Sequence, residues 1–369
     1  MKIGIFAITP AQIHFYKNIV NGLREAGHET FLLIRDYGES LQLAEELGID
    51  HYVFSHPPDS KFGKVANFPL EILRCTSYLR SKGVEVVTGF GIYEAFTSIG
   101  LKCPSITFTD TEYNSNRLSF QIQFWLSSRF QDHVITPRKY SQDLGDKQIR
   151  VNSYKELAYL HPNYFQPDPR VYDELGVEPG EPYVILRFNV FDAVHDVGRS
   201  GFDDHHRELL VDVLKDHARV FISAEGSLND NLKNYLIPTK TSRIHDAIAF
   251  ASLLVTDAGT MATESALLGT PTVRAGSLVG SRDLSNFVEL EQDYGLLYNF
   301  NNPLEAIEQA EKLISDPSLK KDWQKKRDIF LSEKDDIVEY FTHFLIEKAT
   351  NPHLIDHGPF SSGSTVVEQ

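Results

Sequence analysis

Cysteine is scarce in this sequence. Cys75 and Cys103 are the two among 369 residues, and neither stands in a CxxC or Cys/His spacing, which argues against a structural zinc. Two buried thiols in a reducing, cytoplasmic setting are expected. Long apolar runs are missing as well. No stretch reaches the roughly 18 residues needed to cross a bilayer, and the short run in MKIGIFAITP reads as a strand rather than a leader. A soluble protein without a transmembrane segment is expected. Basic residues are the third shortage: 36 Lys and Arg stand against 51 Asp and Glu, a net charge of −15. Wrapping nucleic acid needs clustered cations, so nucleic acid is not an expected partner. One basic cluster, Lys320, Lys321, Lys325, Lys326 and Arg327 around Trp323, reads as a solvated helix face, with peripheral contact to a lipid surface or an anionic ligand as the alternative.

What is present is an ordinary globular composition, with 41% hydrophobic residues and enough length for two cores. Short β-rich runs alternate with longer helical patterns, the signature of parallel βαβ units. Strands are expected at Lys2–Ala7, Thr30–Ile34, His51–Phe54, Val84–Thr88, Ser105–Thr109 and His133–Thr136. A helix over His14–Ala26 carries Phe15, Ile19, Val20, Leu23 and Ala26 on one face and stops at Gly27. Residues 154–182 break the pattern with five prolines and suit a crossing between domains. The alternation resumes with strands at Tyr183–Phe188, Arg219–Ser223, Leu253–Thr256, Thr272–Ala275 and Leu296–Tyr298. Helices are expected at Ile244–Ala251 and Met261–Leu268, and from Pro303 to about Ala349. The reading is an α/β chain of two doubly wound Rossmann-like domains facing a central cleft: 1–155, 156–330, a helix over 331–349 crossing back to the first domain, and a disordered polar tail over 350–369.

Ligands of open parallel sheets bind beyond the carboxyl ends of the strands. After LLVT, Asp257-Ala258-Gly259-Thr260 makes a turn into a helix expected to start near Met261. The N–H groups of Gly259, Thr260 and Met261 would point outward, an anion site suited to a diphosphate. Glu264, placed on the first helical turn, would accept hydrogen bonds from a ribose diol, or would only complement the helix dipole. His14, on the first helix, suits a general base with a pKa near neutrality, or is a plain helix residue. Asp110 and Glu112 follow SITFT. One of them would orient His14, or they bind acceptor hydroxyls, or they cap a helix near Asn116. Arg187 and the pair His195-Asp196 should lie beside the diphosphate turn and would neutralise anionic charge there; a metal pair at His195-Asp196 lacks a third ligand at suitable spacing. Glu225 faces the same ligand region, against sugar hydroxyls or as a helix cap.

TDAGTMATESALLGTP is similar to the motif of the GT-B superfamily, in particular of the non-hydrolysing UDP-N-acetylglucosamine 2-epimerases and the lipid-linked N-acetylglucosaminyltransferase of peptidoglycan synthesis. The resemblance implies that Gly259 and Thr260 hold the nucleotide diphosphate and Glu264 the ribose. RIHDAIAFASLLVTDAG extends the likeness and implies that the backbone near Ile244 faces the nucleobase. TPAQIHFYKNIVNGLREAGHE, FTDTE, VITP, YKELAYLHPNYFQPD and LRFNVFDAVHDVG resemble the largely prokaryotic family called domain of unknown function 354 (DUF354), from about Met1 to Ala349. AITPAQ lacks the glycine-rich turn of the peptidoglycan enzyme, and TPAQIHF lacks the basic first-helix pattern of the epimerases. The resemblance implies a glycosyltransferase that takes a sugar from a UDP-sugar donor, held by 156–330, to a glycan, lipid-linked or small-molecule acceptor, held by 1–155. No metal or other cofactor is expected, since the helix dipole and basic residues do that work in GT-B proteins. A nucleotide-sugar epimerase or hydrolase, and a non-catalytic nucleotide-sugar-binding protein, are the alternatives on the same fold.

Overall fold

A computed structural model describes residues 1–56, 61–112, 127–189, 201–224, 228–277, 279–280 and 283–350. It divides into two compact units, Met1–Ala158 with the segment from Asp335, and Tyr159–Lys334.

The first unit is a seven-stranded parallel sheet, β1 (Lys2–Ala7), β2 (Glu29–Arg35), β3 (His51–Ser55), β4 (Val86–Gly89), β5 (Ser105–Phe108), β6 (His133–Pro137) and β7 (Gln148–Val151), in the order β3-β2-β1-β4-β5-β6-β7. β7 is absent from the sequence expectation: QIRV is short, polar on alternate residues and lies at the sheet edge. The interior strands are nearly continuous apolar runs because helices cover both faces of a parallel sheet. Four helices are described in this part of the chain, α1 (Pro10–Glu25), α2 (Ser40–Glu46), α3 (Lys61–Lys82) and α4 (Ile92–Leu101). α1 begins four residues earlier than its apolar pattern suggests, because Pro10 occupies its first turn and the Thr9 side chain caps the Gln12 N–H. It buries Phe15, Ile19, Val20 and Leu23, but Ala26 ends up exposed at the C-cap.

The second unit begins within the short helix α5 (Leu157–Leu160) and continues through α6 (Val171–Leu175). Its sheet holds β8 (Tyr183–Phe188), β9 (Arg219–Ala224), β10 (Leu253–Thr256), β11 (Thr272–Ala275) and β12 (Tyr298–Phe300), in the order β12-β11-β10-β8-β9, all parallel. β12 lies two residues beyond its expected place, since Leu296 and Leu297 are buried in the approach to the strand. The helices are α7 (Asp204–Leu214), α8 (Ile244–Phe250), α9 (Gly259–Leu267), α10 (Ser285–Val288), α11 (Pro303–Ile314) and α12 (Leu319–Ser332).

The last described helix, α13 (Ile337–Thr350), belongs to the first unit and packs on α1. Phe341 is fully buried there, its ring centroid 5.5 Å from that of Phe15. The helical stretch expected from Pro303 onward is thus three helices, α11 to α13; of the disordered tail expected over 350–369, Thr350 ends α13 and the rest lies outside the described residues. Cys75 is buried and Cys103 half-buried, both as free thiols, and burial pushes both thiols up, Cys103 to about 12. Among the described residues no helix is long and apolar enough to cross a membrane.

Candidate functional site

In each sheet the strand order reverses at one place. In the second unit the chain goes from β8 outward to β9, then returns to β10 on the other side of β8. The crevice at such a reversal, beyond the strand ends, is where open α/β sheets bind ligands. Asp257 to Met261 follow β10 there, and Arg187 lies near the end of β8, in register with Thr256 on one side and Ser223 on the other.

α9 starts at Gly259, two residues earlier than expected, with Ala258 as an extended N-cap that makes no side-chain cap bond. The N–H groups of Gly259, Thr260 and Met261 therefore have no partner within the helix and concentrate the positive end of its dipole. A Cβ at Gly259 would lie 3.0 Å from the Phe287 ring, so glycine lets the turn approach that side chain. Thr260 is exposed and Ile244, the first residue of α8, is half-buried.

Glu264 is the sixth residue of α9, so it sits on the second turn and not the first. It is only 5% exposed. Its Oε1 accepts from the Tyr159 hydroxyl at 2.7 Å and lies 3.1 Å from His245 Nε2. A carboxylate can only accept, so His245 presents its N–H from Nε2. Neither Tyr159 nor His245 stands out in the sequence as a site residue.

Asp257 is a second residue whose role becomes visible only in three dimensions. One carboxylate oxygen accepts from Asn189 N at 2.7 Å, the other from Phe202 N at 3.2 Å. Burial raises its pKa to about 6, against the opposing pull of these two N–H groups. A Cβ at Gly201 would overlap this carboxylate, which explains the glycine. Arg187 donates to Ser223 Oγ at 2.8 Å. His195, Asp196 and Glu225 lie outside the described residues. Among the described residues no group of three His, Cys, Asp or Glu side chains is arranged to hold a metal ion.

Of the basic cluster expected on a solvated face, Lys321 and Lys325 are exposed, whereas Lys320 and Lys326 are tied into the second unit. Lys320 donates to Ala249 O and Ala251 O, both at 2.8 Å, and to Thr270 Oγ1, closing the carboxyl end of α8. Lys326 donates to Gly295 O at 2.9 Å and lies 4.0 Å from the Trp323 ring centroid. Lys325 pairs with Asp322, and Arg327 with Asp328.

In the first unit the reversal falls between β1 and β4. His14 is the fifth residue of α1, half-buried on its second turn. Asp110 forms an ion pair with Lys155, which also lies 3.2 Å from Glu156. Burial alone would lower the Lys155 pKa; the two carboxylates outweigh that and hold it well above the ordinary value. Glu112 is buried and accepts from Ser141 N at 2.6 Å. The structure thus gives both carboxylates local partners, and Lys155 is a further residue that the sequence pattern does not single out.

Glu94 also lies at this reversal, in the first turn of α4. It is 1% exposed, and its Oε1 accepts from Gly91 N at 2.5 Å and from Thr107 Oγ1 at 2.8 Å. Burial pushes its pKa up to about 7, against those hydrogen bonds. A Cβ at Gly89 would overlap its carboxylate, so the glycine at the end of β4 makes room for it.

Solved structures are similar over nearly the whole chain. The UDP-GlcNAc 2-epimerase of Neisseria meningitidis bound to UDP-GlcNAc has a TM-score of 0.65 at 13% identity, covering 95% of this chain and 100% of that one. The S. aureus MnaA–UDP co-structure has a TM-score of 0.67 at 10% identity, covering 96% and 98%. Anabaena Alr3699/HepE in complex with UDP and glucose has a TM-score of 0.61 at 15% identity, covering 95% and 99%. No curated protein matches the sequence. The family model described as "Protein of unknown function (DUF354)" matches residues 1–342. The chain belongs to the DUF354 family, and its fold is GT-B.

Proposed function

We propose that this protein is a glycosyltransferase that moves a sugar from a UDP-sugar to an acceptor. The observation that carries the reading is the start of α9: three backbone N–H groups without helical partners, at the β8/β10 reversal, followed on the next turn by the buried Glu264. In this reading Gly259, Thr260 and Met261 receive the diphosphate and Glu264 the ribose, with Ile244 toward the nucleobase. Arg187 adds positive charge near the diphosphate. The acceptor hydroxyl attacks the anomeric carbon while His14 takes its proton, and the bond to the nucleotide breaks. The charge released on the diphosphate is stabilised at the helix N-terminus, where donors are already oriented.

A nucleotide-sugar epimerase or hydrolase is the second reading. It is favoured by the likeness to the N. meningitidis epimerase and by the buried Glu94 carboxyl, poised near neutrality. Incubation of the protein with UDP-GlcNAc alone separates the two. A transferase leaves the sugar nucleotide unchanged until an acceptor is added. Isomerised or released sugar without acceptor overturns the transferase reading, and binding without turnover for every acceptor tried would reduce the protein to a carrier.

A further inference from the structure

In the first unit α3 and α4 pack against each other. A Cβ at Gly100 would lie 2.7 Å from the Thr76 side chain, so the glycine lets the two helices approach, and Arg80 donates to Gly100 O at 2.6 Å. The Phe68 and Phe96 rings join the helices at 5.6 Å, and Phe96 meets Phe130 at 5.4 Å. On the solvent side of this seam stand Leu70, 55% exposed, and Leu73, 64% exposed, three residues apart and so on one face of α3. Ile99 of α4 is 49% exposed and Phe130 39%. Scattered singly, such residues need no explanation; these four stand on two packed helices and the turn that touches them.

The charge of these helices is opposite to that of the chain. The whole sequence carries −15, yet α3 holds Lys61, Lys64, Arg74, Arg80 and Lys82 against Glu71 alone, and the one charged residue of α4 is Glu94. Both carboxylates turn inward. Glu71 is buried and accepts from Ser55 Oγ at 2.5 Å and from the Tyr93 hydroxyl at 2.7 Å. Glu94 is the buried carboxyl already bonded to Gly91 and Thr107. Arg74, Arg80 and Lys82 are exposed, as is Lys102, the C-cap of α4. The two helices thus offer solvent apolar side chains and cations, and no carboxylate.

We infer that the outer face of α3 and α4 rests on an anionic lipid bilayer. Leu70 and Leu73 project from a helix, and projecting apolar side chains enter the boundary between headgroups and acyl chains without needing a matched socket. The cations beside them meet lipid phosphates while their stems lie along the apolar side chains. A second copy of this chain is a poorer occupant, since it would set the same cations against one another. The acidic remainder of the protein is repelled by the same membrane, which leaves this face as the one that approaches. The inference is independent of the donor reading.

Vesicle flotation of the full chain tests it, with vesicles of phosphatidylcholine alone and of phosphatidylcholine mixed equally with phosphatidylglycerol. Binding to the anionic vesicles is expected, about tenfold or more above the neutral ones, and it should fall as salt rises from about 0.05 M to about 0.5 M. Leu70→Ser combined with Leu73→Ser should lower that binding about tenfold, and Arg74→Glu by roughly the same factor. Ile329→Ser, at a comparably exposed apolar position of the second unit, should leave it unchanged. No flotation with anionic vesicles, equal flotation with neutral ones, or unchanged flotation of the folded leucine variant overturns the inference. A dimer in light scattering that the leucine changes abolish overturns it too, because the face then belongs to a second copy. The comparison of the two vesicles uses the unaltered chain, so it decides even if a variant does not fold.

Discussion

His245 Nε2 lies 3.1 Å from Glu264 Oε1, and the Tyr159 hydroxyl meets the same oxygen at 2.7 Å. The carboxylate proposed to read the ribose is thus held by two side chains outside its own helix. Such a brace lowers the cost of ordering the side chain when a ligand arrives.

Glu264→Ala should weaken UDP binding by about 1–3 kcal/mol, the range for hydrogen bonds to a charged group. Tyr159→Phe should weaken it less, because the carboxylate remains. Titration calorimetry that gave wild-type affinity for Glu264→Ala would remove the ribose role.

His14→Ala should leave UDP affinity unchanged and lower turnover by roughly 100-fold or more, the usual contribution of a positioned base. Turnover equal to wild type, once an acceptor is found, would dismiss His14 as the base.

Glu94 and Asp257 give the fold a pH dependence of definite sign. Burial raises Glu94 from 4.5 to about 7 and Asp257 from 3.8 to about 6. A raised carboxyl favours the protonated form in the folded state. Its cost is absent below the unfolded pKa, grows as pH rises and is complete above the folded pKa. Stability from these two groups should therefore fall between about pH 4 and pH 7. Glu94→Gln carries no ionisable group, so its stability relative to wild type should improve from about pH 5 to pH 8 by on the order of 2–3 kcal/mol. Thermal unfolding with the same difference at both pH values would contradict the assignment.

Lys320→Met should destabilise the second unit by about 1–3 kcal/mol, because the carbonyls of Ala249 and Ala251 lose their shared donor. Lys321→Met, whose neighbours carry the structural bonds, should be near neutral. Equal melting temperatures for the two variants would argue against the cap at the end of α8.

The strands were the most readable part of the fold. β1, β8, β10 and β11 occupy the residues expected from the apolar runs alone, because strands covered on both faces admit little else. β7 and the shifted β12 fall at sheet edges, where that constraint relaxes. The start of α1 was encoded in Thr9 and Pro10, local capping signals that the apolar period does not contain. The glycine turn at Gly259 and the carboxylate at Glu264 were readable for the same reason, as neighbours in the chain. Tyr159 meets Glu264 across 105 positions and Lys155 meets Asp110 across 45. Pairs of that kind are made by the return of the chain within one unit over tens of residues, and no local pattern announces them.

The seating of α13 on α1 has a consequence for synthesis. Residues 159–334 form an unbroken stretch and can close as soon as they leave the ribosome. The first unit, though made earlier, waits for Ile337–Thr350 to cover Phe15 with Phe341. The order of completion is then the reverse of the order of translation, and the nascent first unit carries an exposed aromatic face until Ile337–Thr350 has been made. A chain stopped at Lys334 should bind hydrophobic dye and recruit chaperones through its amino-terminal half, while its second unit resists protease.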